Sequence, residues 1–251
     1  MSNLFDLTGK AAIVTGASTG LGQGMALGLA EAGADLVLVD YVPSDGTAEE
    51  VKKLGRKAVV IIADLMTIDP IPGIVEKTIK EFGKVDILIN NAGIIRRAPA
   101  INFSVKDWDD VMAINAKTVF FFSQAVARDM MKRKSGKIIN VASLLAFQGG
   151  ILVPSYAASK AAVAQITKSM ANEWAVQGLN INAIAPGYMA TNNTKALRED
   201  PVRSKEILDR IPAGRWGSPS DLKGAAVFLA SSASDYVNGH VLVVDGGWLS
   251  R

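Results

Sequence analysis

The stretch Ala11-Ala12-Ile13-Val14-Thr15-Gly16-Ala17-Ser18-Thr19-Gly20-Leu21-Gly22 decides the fold. A short apolar run, Ala11–Thr15, reads as a strand, and the helical pattern Leu21–Ala32 begins where the glycines end. Glycines at a strand-to-helix junction let the backbone turn tightly and come close to a pyrophosphate, whose charge suits a helix N-terminus. Eighteen residues beyond Gly22 stands Asp40, at the end of a second apolar run, Leu36–Asp40. A carboxylate there accepts hydrogen bonds from ribose hydroxyls and repels a 2′-phosphate. Neither Tyr41, Val42 nor Thr19 supplies a compensating cation, so the expected cofactor is NAD in preference to NADP.

Outward from this unit the rhythm repeats. Ala58–Ala63, Ile87–Asn90, Ile138–Val141, Ile181–Ala185 and Val241–Val244 are short and apolar throughout, as strands covered on both faces are. Helical patterns separate them at Ala48–Leu54, Ile74–Phe82, Lys106–Arg133, Ser155–Val176 and Ser220–Ser231. This alternation predicts an α/β fold: one domain, residues 1–251, with a Rossmann-type doubly wound parallel sheet of about seven strands and helices on both faces. Asp64 and Leu65 close the third strand, where the carboxylate can accept from an adenine amino group. Asn90-Asn91-Ala92-Gly93 closes the fourth, with small residues beside a ribose. Residues 187–216 break the rhythm. They are longer than an ordinary connection and follow a strand end, where such folds place substrate loops and lids.

Composition removes whole classes of function. Of 251 residues, 49% are hydrophobic and 20% charged, enough for one large core. The net charge of +3 is dispersed, and Lys132-Arg133-Lys134 reads as the basic end of a helix, so no nucleic-acid partner is expected. With no cysteine and only His240, read as a strand-edge residue, neither a thiolate nor an imidazole metal site can be assembled; no metal is expected. Residues 1–6 lack the pattern of a signal peptide and no run suits a bilayer, so no membrane partner and a cytoplasmic location are expected.

Tyr156 and Lys160 lie four apart in a helical pattern, on one face, with Ser143 thirteen residues upstream of the tyrosine. A neighbouring ammonium favours phenolate and makes tyrosine a usable proton-transfer group. The turn T-G-x-x-x-G-x-G, N-N-A-G at Asn90–Gly93, Ser143, Y-A-A-S-K at Tyr156–Lys160 and P-G-x-x-x-T at Pro186–Thr191 together resemble the short-chain dehydrogenase/reductase family over essentially the whole chain. The resemblance implies that Tyr156 exchanges a proton with the substrate oxygen and that Lys160 lowers its pKa and bonds the nicotinamide ribose. It implies that Ser143 donates to the substrate carbonyl and that Asn115 positions a water beside the lysine. Cofactor contacts are then expected at Gly16, Ser18, Thr19, Gly20, Leu21, Gly22, Asp40, Asp64, Leu65, Asn91, Ala92, Gly93, Tyr156, Lys160, Pro186, Gly187, Met189 and Thr191.

The substrate side is expected among Arg96, Arg97, the segment Leu144–Val153 with Gln148, and the long loop with Arg215. Arginine is a natural bidentate partner for a carboxylate, which points to a sugar acid, with solvated surface charge as the bland alternative. The segments N-N-A-G-I-I-R-R, P-G-Y-M-A-T-N-N-T-x-A-L-R and R-I-P-A-G-R-W-G resemble family members that oxidise a secondary hydroxyl of a deoxy sugar acid in uronate breakdown. Close alternatives are gluconate-type activity and 3-oxoacyl reduction, the latter disfavoured by Asp40. A dinucleotide-binding regulator without turnover is disfavoured by the retained Ser143, Tyr156, Lys160 and Asn115. Val119-Phe120-Phe121-Phe122 is too apolar for a surface, and the family resemblance implies a homotetramer, or at least a homodimer, packed through the two long helices.

Overall fold

The computed structural model describes residues 3–251. Seven strands, β1 (Ala11–Thr15), β2 (Asp35–Asp40), β3 (Ala58–Ile62), β4 (Ile87–Asn90), β5 (Gly136–Val141), β6 (Leu179–Pro186) and β7 (Val241–Val244), form one sheet in the order 3-2-1-4-5-6-7. Every pairing is parallel. Strand order reverses between β1 and β4, the switch point where doubly wound sheets open a crevice for ligand.

Helices α1 (Gly20–Glu31), α2 (Asp45–Lys53), α3 (Ile71–Phe82), α4 (Val105–Met112), α5 (Thr118–Arg133), α6 (Pro154–Trp174), α7 (Lys195–Glu199), α8 (Pro201–Arg210) and α9 (Lys223–Ala230) surround it. Because side chains alternate along a strand, Ile13, Val37, Leu88 and Ile138 meet Phe122, Met130 and Met170 of α5 and α6 on one face. Val14, Leu36, Leu38 and Ile89 meet Met25, Leu29 and Leu229 of α1 and α9 on the other. This two-sided burial explains why the strands read as unbroken apolar runs. The outer strands differ: β3 and β7 are only partly covered, and Ile62 is exposed. His240 lies just before β7, exposed, its N–H donating to Asn182 Oδ1.

One expected element is corrected. The stretch Lys106–Arg133 is not a single α-helix; a π-helical segment, Ala113–Lys117, separates α4 from α5. The long segment beyond β6 carries the two short helices α7 and α8.

Candidate active site

The glycine turn is shaped by collisions it avoids. Gly16 has φ +64°, and a Cβ on Gly22 would strike the Gly16 carbonyl. The turn is pinned from below. Thr15 Oγ1 accepts from the N–H groups of Asn91 and Ala92, both at 2.9 Å, and Asn91 Nδ2 donates to the carbonyls of Thr15 and Gly16 at 2.9 and 3.1 Å. The Asn91 side-chain N–H groups are thereby spent on holding the turn. Thr19 precedes α1 without capping it, and no acidic side chain occupies the first helical turn. The N–H groups there face no side-chain acceptor, the arrangement a pyrophosphate needs.

Asp40 is buried, and its two oxygens accept from Ser18 N and Tyr41 N at 2.9 and 2.8 Å. Each carboxylate oxygen has a second lone pair, so acceptor capacity remains. Asp64 is exposed and bonds Met66 N, while the carbonyl of the buried Leu65 accepts from Thr118 Oγ1 at 2.8 Å. Gly93 must stay small, since a Cβ would lie 2.8 Å from Asn115 Oδ1. Beyond Pro186 and Gly187, Met189 is bridged to Gly217, and Thr191 lies beside Gly20. All these expected contacts thus gather at one edge of the sheet.

The side chains expected to transfer the proton stand at the same edge. A buried network fixes the surrounding elements: Asn90 Nδ2 donates to Ser123 Oγ at 3.0 Å and Asn140 Oδ1 at 2.9 Å, and Asn140 Nδ2 donates to Thr167 Oγ1 at 2.9 Å. This links β4, β5, α5 and α6 in a dry interior, where such bonds are strongly directional. On α6, Lys160 is buried, its Nζ donates to Val141 O at 2.6 Å, and it lies 5.6 Å from the Tyr156 ring centre. Ser143 Oγ accepts from Leu145 N at 3.1 Å, and its hydroxyl hydrogen points to the side where the Tyr156 phenol lies. The fully buried Asn115 lies in the π segment. Its Oδ1 accepts from Ile94 N at 2.9 Å, and its Nδ2 donates to Ile94 O and Ser159 Oγ, both at 3.0 Å. Single π turns recur at functional sites. The only trace of this one in the sequence is a polar, weakly helix-forming residue in mid-helix.

The electrostatics correct one expectation. Among the chain's own groups, burial pushes the Tyr156 phenol above its ordinary value, while the Ser143 hydroxyl and the Arg97 guanidinium pull the other way. Burial lowers Lys160 to about 8. The lysine's nearest partner is a carbonyl, not the phenol, so the paired ammonium does not acidify the tyrosine by itself.

The three arginines separate sharply. Arg96 faces Asp107 at 3.4 Å and Asp110 at 3.8 Å, and Arg215 makes a bidentate pair with Asp221 at 2.7 and 2.8 Å. That pair holds the Asp221 carboxyl well below the usual range. Arg96 and Arg215 are thus each paired with a neighbouring acid. Arg97 donates from Nη2 to Asn193 O at 2.9 Å, joining the segment after β4 to the loop after β6. Gln148 accepts at Oε1 from Trp248 Nε1 at 3.1 Å, a partner the sequence did not indicate. Among the described residues, no group of acidic or histidine side chains is placed to hold a metal ion, and no helix is long and apolar enough to cross a membrane.

Comparison with known proteins agrees with this architecture. A family described as enoyl-(acyl carrier protein) reductase matches residues 16–249. The chain is 64% identical over 250 residues to the 2-dehydro-3-deoxy-D-gluconate 5-dehydrogenase of Dickeya dadantii, covering 99% of each chain. It is 62% identical to the enzyme of the same name from Escherichia coli, covering 98% of each. A solved structure from Agrobacterium tumefaciens with bound NADP is 52% identical, covers 100% of each chain and superposes with a TM-score of 0.91. Likeness of this extent, over the full length and on the same sheet, means that the chain belongs to the short-chain dehydrogenase/reductase family and is a nicotinamide-dependent oxidoreductase.

Proposed function

We propose that the chain oxidises the 5-hydroxyl of 2-dehydro-3-deoxy-D-gluconate with NAD and catalyses the reverse reduction of the diketo acid. The observation that carries the reading is the identity of 64% and 62%, end to end, to two enzymes named for that reaction. The location of Ser143, Tyr156 and Lys160 at one strand-end cleft supports it.

The residues fit a dinucleotide. The uncapped start of α1 and the turn Gly16–Gly22, with Ser18, Thr19, Gly20 and Leu21, receive the pyrophosphate. Asp40 receives the adenosine ribose, Asp64 and Leu65 the adenine, and Ala92, Gly93, Tyr156 and Lys160 the nicotinamide ribose. Pro186, Gly187, Met189 and Thr191 hold the carboxamide. NAD is preferred because a 2′-phosphate would approach the Asp40 carboxylate with no cation at Thr19, Tyr41 or Val42 to neutralise it. When bound, the nicotinamide supplies the acceptor or donor of hydride.

The chain's own groups handle the proton and the oxygen. Ser143 donates its hydroxyl hydrogen to the substrate oxygen and stabilises charge that develops there. Tyr156 takes the hydroxyl proton during oxidation and returns it during reduction. Lys160 and Asn115 sit behind it as the route by which that proton is exchanged with water. Arg97 receives the carboxylate. Arg96 and Arg215 already face acids, whereas Arg97 has only a neutral carbonyl, and a carboxylate is the stronger partner. Residues 187–216 form a lid over the substrate. The chain is a cytoplasmic homotetramer that needs no metal.

The test is NADH formation from 2-dehydro-3-deoxy-D-gluconate, with NADP in a parallel arm and a neutral analogue lacking the carboxylate in a third. Turnover with NAD is expected, falling about 10³-fold in Tyr156→Phe while NAD still binds. No turnover in either chain, with NAD bound, would favour a regulator. Equal use of the neutral analogue removes the role given to Arg97 and leaves the dehydrogenase in place.

A further inference from the structure

Trp248, in the segment beyond the last strand, is only 5% exposed. Beyond β7, Gly246 and Gly247 take φ +66° and +90°, conformations open to glycine, and turn the chain back. Asp245 locks the turn by accepting from the N–H groups of Gly247 and Leu249, each at 2.8 Å. The turn delivers Trp248 among three parts of the substrate side. Its indole N–H donates to Gln148 Oε1 at 3.1 Å, five residues after Ser143. Its ring lies 4.6 Å from that of Tyr188, directly after Gly187. The Arg210 guanidinium, at the end of α8, sits 4.1 Å from the ring centre. Leu144, Ile207 and Ile211 complete the apolar cluster. Arg251 then donates to the carbonyls of Asp209 and Arg210 at 2.8 and 3.1 Å, satisfying acceptors that the end of a helix leaves open.

We propose that Trp248 is a positioning residue for the substrate: the C-terminal turn straps α8 to the loop carrying Ser143 and sets the closed geometry of the lid without touching the dinucleotide side. The inference rests on the functional reading above for its kinetic arm. It explains why an indole, rather than another apolar side chain, occupies the position. Tyrosine, glutamine and arginine all present polar or aromatic partners to it, and an aliphatic chain could answer none of them.

The experiment compares the full-length native chain with Trp248→Ala, Trp248→Phe and Arg251→Ala. In Trp248→Ala, KM for 2-dehydro-3-deoxy-D-gluconate should rise about tenfold or more while the Kd for NAD, by calorimetry, stays within about twofold. Trypsin provides a reading that needs no substrate, since Lys195, Arg198, Arg203, Lys205 and Arg210 all lie in α7 and α8. Cleavage there should accelerate about tenfold in Trp248→Ala and about threefold in Arg251→Ala. Trp248→Phe keeps an aromatic face for Tyr188 and Arg210 but loses the N–H to Gln148, so its KM should lie between those of native and Trp248→Ala. The strap is overturned if KM and cleavage match the native chain, or if KM and NAD affinity weaken by the same factor. Should Trp248→Ala fail to fold, cleavage of Arg251→Ala decides, and a rate equal to native refutes the proposal. If the native chain leaves the sugar acid untouched, the functional reading falls while the cleavage rates still judge the strap.

Discussion

Lys160 shows how burial converts a candidate catalytic side chain into a stability term. Its folded value of about 8 lies below the ordinary 10.5, so between those values the unfolded chain binds more protons than the folded one. Stability contributed by this residue therefore rises with pH across that window, on the order of 3 kcal/mol in all. Lys137, also lowered by burial, acts in the same direction. Tyr156 opposes them at the upper end, because a raised phenol loses its contribution as pH climbs past 10.0. Urea denaturation at fixed protein concentration should give a free energy of unfolding that increases from pH 8 to 10, with a clearly shallower slope in Lys160→Met. An unchanged slope would mean that the ammonium is not desolvated. The spacing of Tyr156 and Lys160 was plain in the sequence, and the two do meet. The direction in which each titrates was not, because it depends on Val141 and the walls of the cleft, which other elements bring.

At the scale of elements, the same division appears between spacing and context. The strands and most helices could be read because apolar period and glycine position are local properties, and their ends shift by only a few residues. The π segment could not. Its Asn115 satisfies Ile94 from both ends of the amide and reaches Ser159 on α6, partners 21 and 44 residues away. Removing that side chain leaves the part-buried N–H and carbonyl of Ile94 without their partner. Asn115→Ala should therefore destabilise by about 1–3 kcal/mol, the cost of groups left incompletely satisfied. Because Ile94 directly follows Gly93 and Ser159 directly precedes Lys160, turnover should fall more than melting temperature alone accounts for. Measured at a temperature where both chains are fully folded, kcat is expected to drop about tenfold or more, by analogy with other residues that position a catalytic group. A kcat equal to native would reduce Asn115 to a structural tie. Arg96 and Arg215 carry the complementary lesson. Their charge stood out in the sequence, but Asp107, Asp110 and Asp221 had already claimed them, and which acid meets which arginine is a property of the folded helices.

For the whole molecule, the open question is what covers the outer face of α5 and α6. Of the run Val119–Phe122, Val119 and Phe122 enter the core, while Phe120 and Phe121 stay half-buried, edge to face at 5.2 Å. Beside Phe120 lies a groove of about 300 Å³, lined also by Ala127, Met131, Met170 and Trp174 and rimmed by Arg128 and Glu173. An apolar floor with a charged rim is the anatomy of an interface, and a self-associating surface must be complementary to itself. Arg128 and Glu173 bring opposite charges to the same groove, which a two-fold contact can pair. The proposed tetramer accordingly predicts that sedimentation velocity at micromolar concentration gives four times the chain mass for the native protein. Phe120→Asp, which places a charge on the groove floor without disturbing Phe122, should shift the population to smaller species while leaving the far-ultraviolet circular dichroism intact. A native chain that sediments as a monomer would refute the assembly. A Phe120→Asp tetramer would move the interface to another face, of which the partly covered outer strand β7 is the next candidate, since an unpaired strand edge also invites a second copy.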